Sequence, residues 1–173
     1  REEAKDIQAI IDAQNGGFQL EPWDWFFYSE QVRKAKYNLD ESIIKPYFEV
    51  KTVLEKGVFY AAQKMYGITF KVRNDLPTYH PDVVVYEVFD KDSSSLAIYY
   101  LDFYTRDNKN GGAWMNNFVN QSHYLNQKPV IVNVYNFAKP VDGNPSLISF
   151  DDVTTMFHEF GHTLHGLFAN QQY

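Results

Sequence analysis

Apolar positions recur at three- and four-residue spacing along the first part of the chain, and the spacing then changes to two. Ile7, Ile10 and Ile11 make one stripe of a helix predicted over 4–14, which Gly16 and Gly17 end. Pro22 suits the first turn of a second helix running to about Tyr37, with Arg33, Lys34 and Lys36 near the negative end of its dipole. Trp23, Phe26 and Phe27 give that helix a large aromatic payload, and core packing is the expected use for it. Asp40 is expected to cap a short turn that Pro46 interrupts. A third helix is predicted from about Tyr47 to Tyr66, with Gly67 as its stop.

Past Gly67 the chain reads as strands. Ile68 to Val72 is one, and Leu76 to Asp82 is a loop with two prolines. Val83 to Phe89 and Leu96 to Tyr104 flank the turn Asp90–Ser95 and predict an antiparallel hairpin. Each carries one charge, Glu87 and Asp102, read as paired structural groups. His80 and His123 lack metal-type spacing and are read as surface or structural histidines. Val130 to Phe137 is a further strand between Pro129 and Pro140. A last helix begins near Phe150. Ser149 is its N-cap, Asp152 closes a box-like cap, and Val153, Met156, Phe157, Phe160, Leu164 and Leu167 make its apolar stripe. The layout is α+β: a helical part over 1–67, a mainly antiparallel sheet part over 68–148, and a final helix over 149–168.

The final helix carries the chemistry. Residues 158–162 read His-Glu-Phe-Gly-His, the His-Glu-x-x-His pattern. On a helix, positions i and i+4 point the same way one turn apart, so His158 and His162 can reach one metal ion. Glu159 follows the first ligand and can take a proton from a water activated by that ion. His165 lies seven residues from His158, ~10.5 Å along the axis. Zinc–nitrogen bonds are only ~2.1 Å, so His165 is read as a group supporting the ligands or packing beside them. The longer motif with a third histidine needs Gly at 165 and His at 168, where this chain has His165 and Phe168. A third ligand is therefore expected from elsewhere. Gly111 and Gly112 follow a polar turn. They suit either a plain turn or the close approach of an extended peptide to a strand.

Composition narrows the classes. Hydrophobic residues are 45% and aromatics 17%, enough to build a core. The net charge of −6 argues against nucleic acid or an anionic membrane as partner. Cysteine is absent, which removes disulfides and thiolate chemistry. No apolar run approaches the ~20 residues of a spanning helix. The opening Arg1-Glu2-Glu3 reads as mid-helix, so the chain is expected to be an excerpt of a longer protein. Separately, that protein is expected to be cytoplasmic and monomeric.

Several stretches together resemble the thimet oligopeptidase family of zinc metallopeptidases, and most closely its bacterial peptidyl-dipeptidase branch. They are Pro22-Trp23-Asp24-Trp25, Arg33 to Tyr37, Tyr79-His80-Pro81-Asp82, Gly111-Gly112-Ala113-Trp114-Met115, and Phe157 to Leu167. The resemblance implies a zincin-like site in a larger, mainly helical enzyme. One Zn2+ would be bound by His158, His162 and a Glu on a following helix, beyond Tyr173. It implies that Gly111, Gly112 and Ala113 form a substrate-side loop, and that the substrates are short peptides losing dipeptides from the C-terminus. The chain alone is expected to be inactive. An endo-acting oligopeptidase of the same family is the nearest alternative. A non-catalytic zinc- or peptide-binding module is another, against which Glu159 speaks, since a structural site needs no general base.

Overall fold

The computed structural model describes residues 2–37, 41–141 and 143–172. The expected cap at Asp40 lies outside them. The chain divides into two compact units, 1–44 and 45–173.

The first unit is helical. Helix α1 (Glu2–Ala13) buries Ile7 and Ile11, and the Gly16 N–H closes it on the Ile11 carbonyl at 3.0 Å. A 3-10 turn at Pro22–Asp24 leads into α2 (Trp25–Tyr37), and α3 (Glu41–Ile44) follows. The expected core role of the aromatics is overturned. Trp23 is 78% exposed, Phe26 83% and Phe27 67%, and α2 buries no residue. A pair of helices offers one narrow apolar interface, and the short Ile7–Ile11 stripe is too small to cover three large rings.

The second unit opens with a 3-10 turn, Lys45–Tyr47. A continuous helix over 50–66 follows, starting as α4 (Val50–Thr52), passing through a π-helical segment (Val53–Phe59) and ending as α5 (Tyr60–Tyr66). The Glu49 carboxylate caps it, accepting from the Lys51 and Thr52 N–H groups at 3.0 and 2.6 Å. Gly67, with φ of 77°, stops it where expected. The π segment answers a particular pattern. Its buried residues are Val53, Leu54, Val58 and Phe59, two pairs five apart. The i→i+5 geometry of a π turn puts both pairs on one face, which a 3.6-residue period does not.

Five strands follow: β1 (Thr69–Val72), β2 (Val84–Phe89), β3 (Ser95–Tyr104), β4 (Trp114–Val119) and β5 (Val130–Phe137), in the spatial order β1-β2-β3-β5-β4. The predicted β2–β3 hairpin is present, and β1–β2 and β4–β5 are antiparallel as well. The β3–β5 pair is parallel, so the sheet is mixed, and β4 is an additional strand. Its residues alternate between exposed and half-buried, as an edge strand's do.

Helix α6 (Phe150–Leu167) completes the unit. Its capping box forms as the sequence suggests. The Ser149 hydroxyl oxygen accepts from the Asp152 N–H, and the Asp152 carboxylate accepts from the Ser149 N–H, both at 3.0 Å. The π segment and α6 share one face of the sheet. Phe59 stacks on Phe70 at 3.7 Å and meets Tyr86 edge-on, while Phe160 lies 6.2 Å from the Tyr99 ring. Helices on one face of a largely antiparallel sheet make an α+β architecture.

The charges on β2 and β3 are paired, as expected. Arg73 donates to Glu87 at 2.7 Å. Asp102, 1% exposed, accepts from Arg106 at 2.8 and 2.7 Å, from Lys109 at 3.0 Å and from the Tyr79 hydroxyl at 2.9 Å. His80 is hydrogen-bonded through Nδ1, which accepts the Asp82 N–H at 3.2 Å. No helix of the described residues is long and apolar enough to cross a membrane.

Candidate functional site

The stripe Met156, Glu159, Phe160, Thr163, Gly166 and Leu167 is buried, and it turns the opposite flank of α6 outward. His158 and His162 lie on that exposed flank. Their Nε2 atoms are 3.2 Å apart and their rings stand at 78°. Two ligands of one tetrahedral zinc, each ~2.1 Å from it, lie ~3.4 Å apart, so the pair already has the separation such an ion requires. The same distance also fits an N–H···N hydrogen bond between a neutral pair of imidazoles. Neutral imidazole nitrogens are suited to zinc. Among the described residues, no group of three or more His, Asp or Glu side chains is gathered to hold a metal, so the two histidines are an incomplete set.

Glu159 is 8% exposed and sits at the margin of the buried stripe, one residue on from His158. His165 is exposed in the last turn.

Close packing sets the height of α6 over the sheet. A Cβ on Gly166 would lie 2.8 Å from Met115 Cε on β4 and 3.0 Å from Ile131 Cδ1 on β5, so any larger residue there must push those side-chain ends aside. At the other end, the Phe157 ring lies 3.4 Å from where a Cβ on Gly57 would stand. Buried polar contacts add direction. Asn133 of β5 is 0% exposed. Its Nδ2 donates to the Glu159 main-chain carbonyl at 3.1 Å. Its Oδ1 accepts from the Tyr99 hydroxyl at 2.6 Å and from the Thr163 hydroxyl. Burial raises the pKa of Tyr99 and holds it as a neutral donor.

The loop with Gly111, Gly112 and Ala113 leads directly into β4. Gly112 has φ of 87°, in the left-handed region, and a Cβ at either glycine would meet nothing within 4 Å. The loop is pinned from beneath. Asn136 Nδ2 donates to the Asn110 and Gly112 carbonyls, both at 2.7 Å. The Lys109 ammonium donates to Asp102, to the Tyr104 carbonyl at 2.8 Å and to the Tyr135 carbonyl. Ala113 packs against the core. Desolvation lowers the pKa of Lys109 despite Asp102 beside it. Burial also opposes charge on Asp102, but the hydrogen bonds from Arg106, Lys109 and Tyr79 outweigh it and hold the carboxyl below its usual range.

Sequence reasoning missed Asn133, Thr163, Tyr99, Lys109 and Asn136. A signal existed for one of them. Asn133 breaks the run Val130-Ile131-Val132-Asn133-Val134 in a strand read as buried, and a lone amide there needs partners. What those partners are depends on residues 26 to 34 positions away.

The chain is 57% identical over 171 residues to a dipeptidyl carboxypeptidase of Salmonella typhimurium and 58% over 172 residues to one of Escherichia coli. These alignments cover 99% of this chain and 25% of each relative. Oligopeptidase A of Escherichia coli is 41% identical over 167 residues, covering 94% of this chain and 24% of that protein. The chain thus spans about a quarter of the length of the curated relatives it matches. The family description "Peptidase family M3" matches residues 1–173 from end to end. The match runs the whole length of this chain, and the chain belongs to peptidase family M3.

Proposed function

We propose that the protein carrying this chain is a zinc-dependent peptidase that removes dipeptides from the C-termini of short peptides. The observation that carries the reading is the convergence of the His158 and His162 Nε2 atoms, 3.2 Å apart, with Glu159 between them in sequence. In this reading His158 and His162 hold the ion, and a Glu beyond Tyr173 supplies the third protein ligand. A zinc ion held by them would supply a Lewis acid that polarises the scissile carbonyl and lowers the pKa of a water. Glu159 takes the proton from the attacking water and passes it to the leaving amine. Glu159 is largely buried while the neighbouring histidines are exposed. His165, one turn on, supports the ligands by hydrogen bonding around them.

Substrate placement rests on β4. Among the described strands its outer edge is unpaired, and an extended peptide adds to such an edge through main-chain hydrogen bonds. Gly111 and Gly112 leave open space at the entrance to that edge, and Ala113 ties the loop to the core. The exopeptidase reading is supported by the 57–58% identity to proteins named dipeptidyl carboxypeptidase. The 41% identity to oligopeptidase A favours internal cleavage as the second reading.

The test is mass spectrometry of products from the full-length protein with zinc, on one peptide with a free C-terminus and the same peptide amidated. Stepwise loss of C-terminal dipeptides, blocked by amidation, is the expected result. Internal cuts indifferent to amidation would establish the second reading instead. No cleavage of either peptide, with zinc bound, would leave a binding module.

A further inference from the structure

A buried amide among apolar neighbours is costly unless it is hydrogen-bonded, and a leucine would fill the Asn133 site at no such cost. Asn133 spends its amide on one main-chain carbonyl, that of Glu159. The two hydroxyls on its Oδ1 come from different elements, Tyr99 on β3 and Thr163 on α6. Three elements therefore meet at one side chain. Apolar contacts constrain distance but let a helix slide or roll by fractions of an ångström. Hydrogen bonds hold a narrower window of distance and angle. The window here is centred on the residue that bears the carboxylate.

We propose that Asn133, with Thr163 and Tyr99, is a positioning group that fixes the height and roll of α6 at Glu159, so that the carboxylate meets the attacking water in productive geometry. The inference rests on the base role proposed for Glu159. The anchor touches Glu159 only through its main chain, so it acts on where the carboxylate stands and leaves the chemistry to Glu159. It contains no group that is charged in the working pH range, so it holds the helix equally across the range in which the base operates. Thr163 contributes twice, through its hydroxyl to Asn133 and by lying 3.3 Å from the same Glu159 carbonyl.

The test uses the full-length enzyme and compares Thr163→Val, Thr163→Ser and Glu159→Gln with wild type. Valine keeps the shape and removes the hydroxyl, and Asn133 Oδ1 still has Tyr99, so no buried group is orphaned and folding is retained. The readouts are kcat, KM, bound zinc, Tm and the pH–rate profile, taken well below Tm. Misplacement of a catalytic group by up to an ångström costs up to ~100-fold, so a sub-ångström loosening in Thr163→Val is expected to lower kcat by ~10-fold. KM and zinc content stay within ~2-fold, and Thr163→Ser restores kcat to within ~2-fold of wild type. A purely structural role would lower Tm while leaving kcat and the pH profile unmoved, and that result would overturn the proposal. Loss of zinc in step with kcat would also overturn it, since the anchor would then serve the ligands rather than the base. Glu159→Gln separates the two levels of the argument. If it still turns over, the base assignment falls and takes the anchor with it. If it is inactive while Thr163→Val matches wild type, only the anchor falls.

Discussion

Two buried polar clusters sit on opposite faces of the same strand. Tyr99 and Asp102 are three residues apart on β3, so the strand's alternation sends them to opposite sides. On the helix side the cluster is neutral: an amide, a phenol and a hydroxyl holding α6. On the other side it is charged: Asp102 with Arg106 and Lys109, holding the loop that leads to β4. The difference teaches where charge is tolerated. Under α6 the network at Asn133 is neutral and fixes the helix without the cost of burying an ion of its own. At the sheet end Arg106 retains some exposure, and opposite charges clamp a loop that lacks a core of its own.

Removing one partner should expose the difference most sharply. Asp102→Ala leaves two cations with no counter-charge in a buried site, and breaking such a pair costs ~3–5 kcal/mol. Urea unfolding should show this as a large fall in midpoint at unchanged slope. An effect below that of Asn133→Leu would reverse the ranking of the two clusters. Asn133→Leu fills the space but takes the acceptor from the Tyr99 hydroxyl, while Thr163 keeps the Glu159 carbonyl at 3.3 Å. An orphaned buried group costs ~1–3 kcal/mol, so a loss in that range is expected by the same assay.

Gly166→Ala tests whether packing or the neutral anchor sets the height of α6. The added Cβ meets the side-chain ends of Met115 and Ile131 at 2.8 and 3.0 Å, and alanine's better helix propensity offsets part of the overpacking, so a loss of about 1 kcal/mol or less is expected. Additivity with Asn133→Leu would show independent devices, whereas a coupling above ~0.5 kcal/mol would show one.

The smallest effect is one of pH. The folded carboxyl of Asp102 is held below its ordinary value, so it contributes stability above the unfolded pKa of ~3.9 and loses it as pH falls through the folded value. Wild type should therefore lose stability more steeply below pH ~4 than Asp102→Asn, while Asn133→Leu should follow the slope of wild type. Parallel slopes for wild type and Asp102→Asn would remove the charged cluster from acid unfolding.

How much of this could be read along the chain depends on how far each partner lies. The Ser149–Asp152 box, the stop at Gly67 and the β2–β3 hairpin are local, and each is where the sequence places it. The His158–His162 convergence is local too, since one helical turn produces it. The π segment escaped because an i,i+5 pattern at 53, 54, 58 and 59 matches neither of the usual periods. Strand β4 escaped because Asn116 and Asn117 interrupt it and only one of its edges is paired. Trp23, Phe26 and Phe27 were misjudged because apolarity signals a wish for cover and says nothing of whether a surface exists to give it. Asn133 announces itself as an anomaly, but the carbonyl it serves belongs to a helix 26 positions on.

The strand order also sets a timetable. β5, the last of the described strands, occupies an interior place between β3 and β4. As the polypeptide is made, the β1-β2-β3 meander can close on itself, because each strand follows its neighbour. Residues 114–119 emerge next with no strand beside them, and they stay unpaired until 130–137 arrive to join both halves. Completion of the sheet must therefore wait for a non-local event, which is slow because loop closure precedes its reward. The segment that completes the sheet is followed almost at once by α6, so the surface and the helix it receives mature together. A released chain ending at residue 129 should carry a protease-sensitive 106–129 segment beside a protected meander.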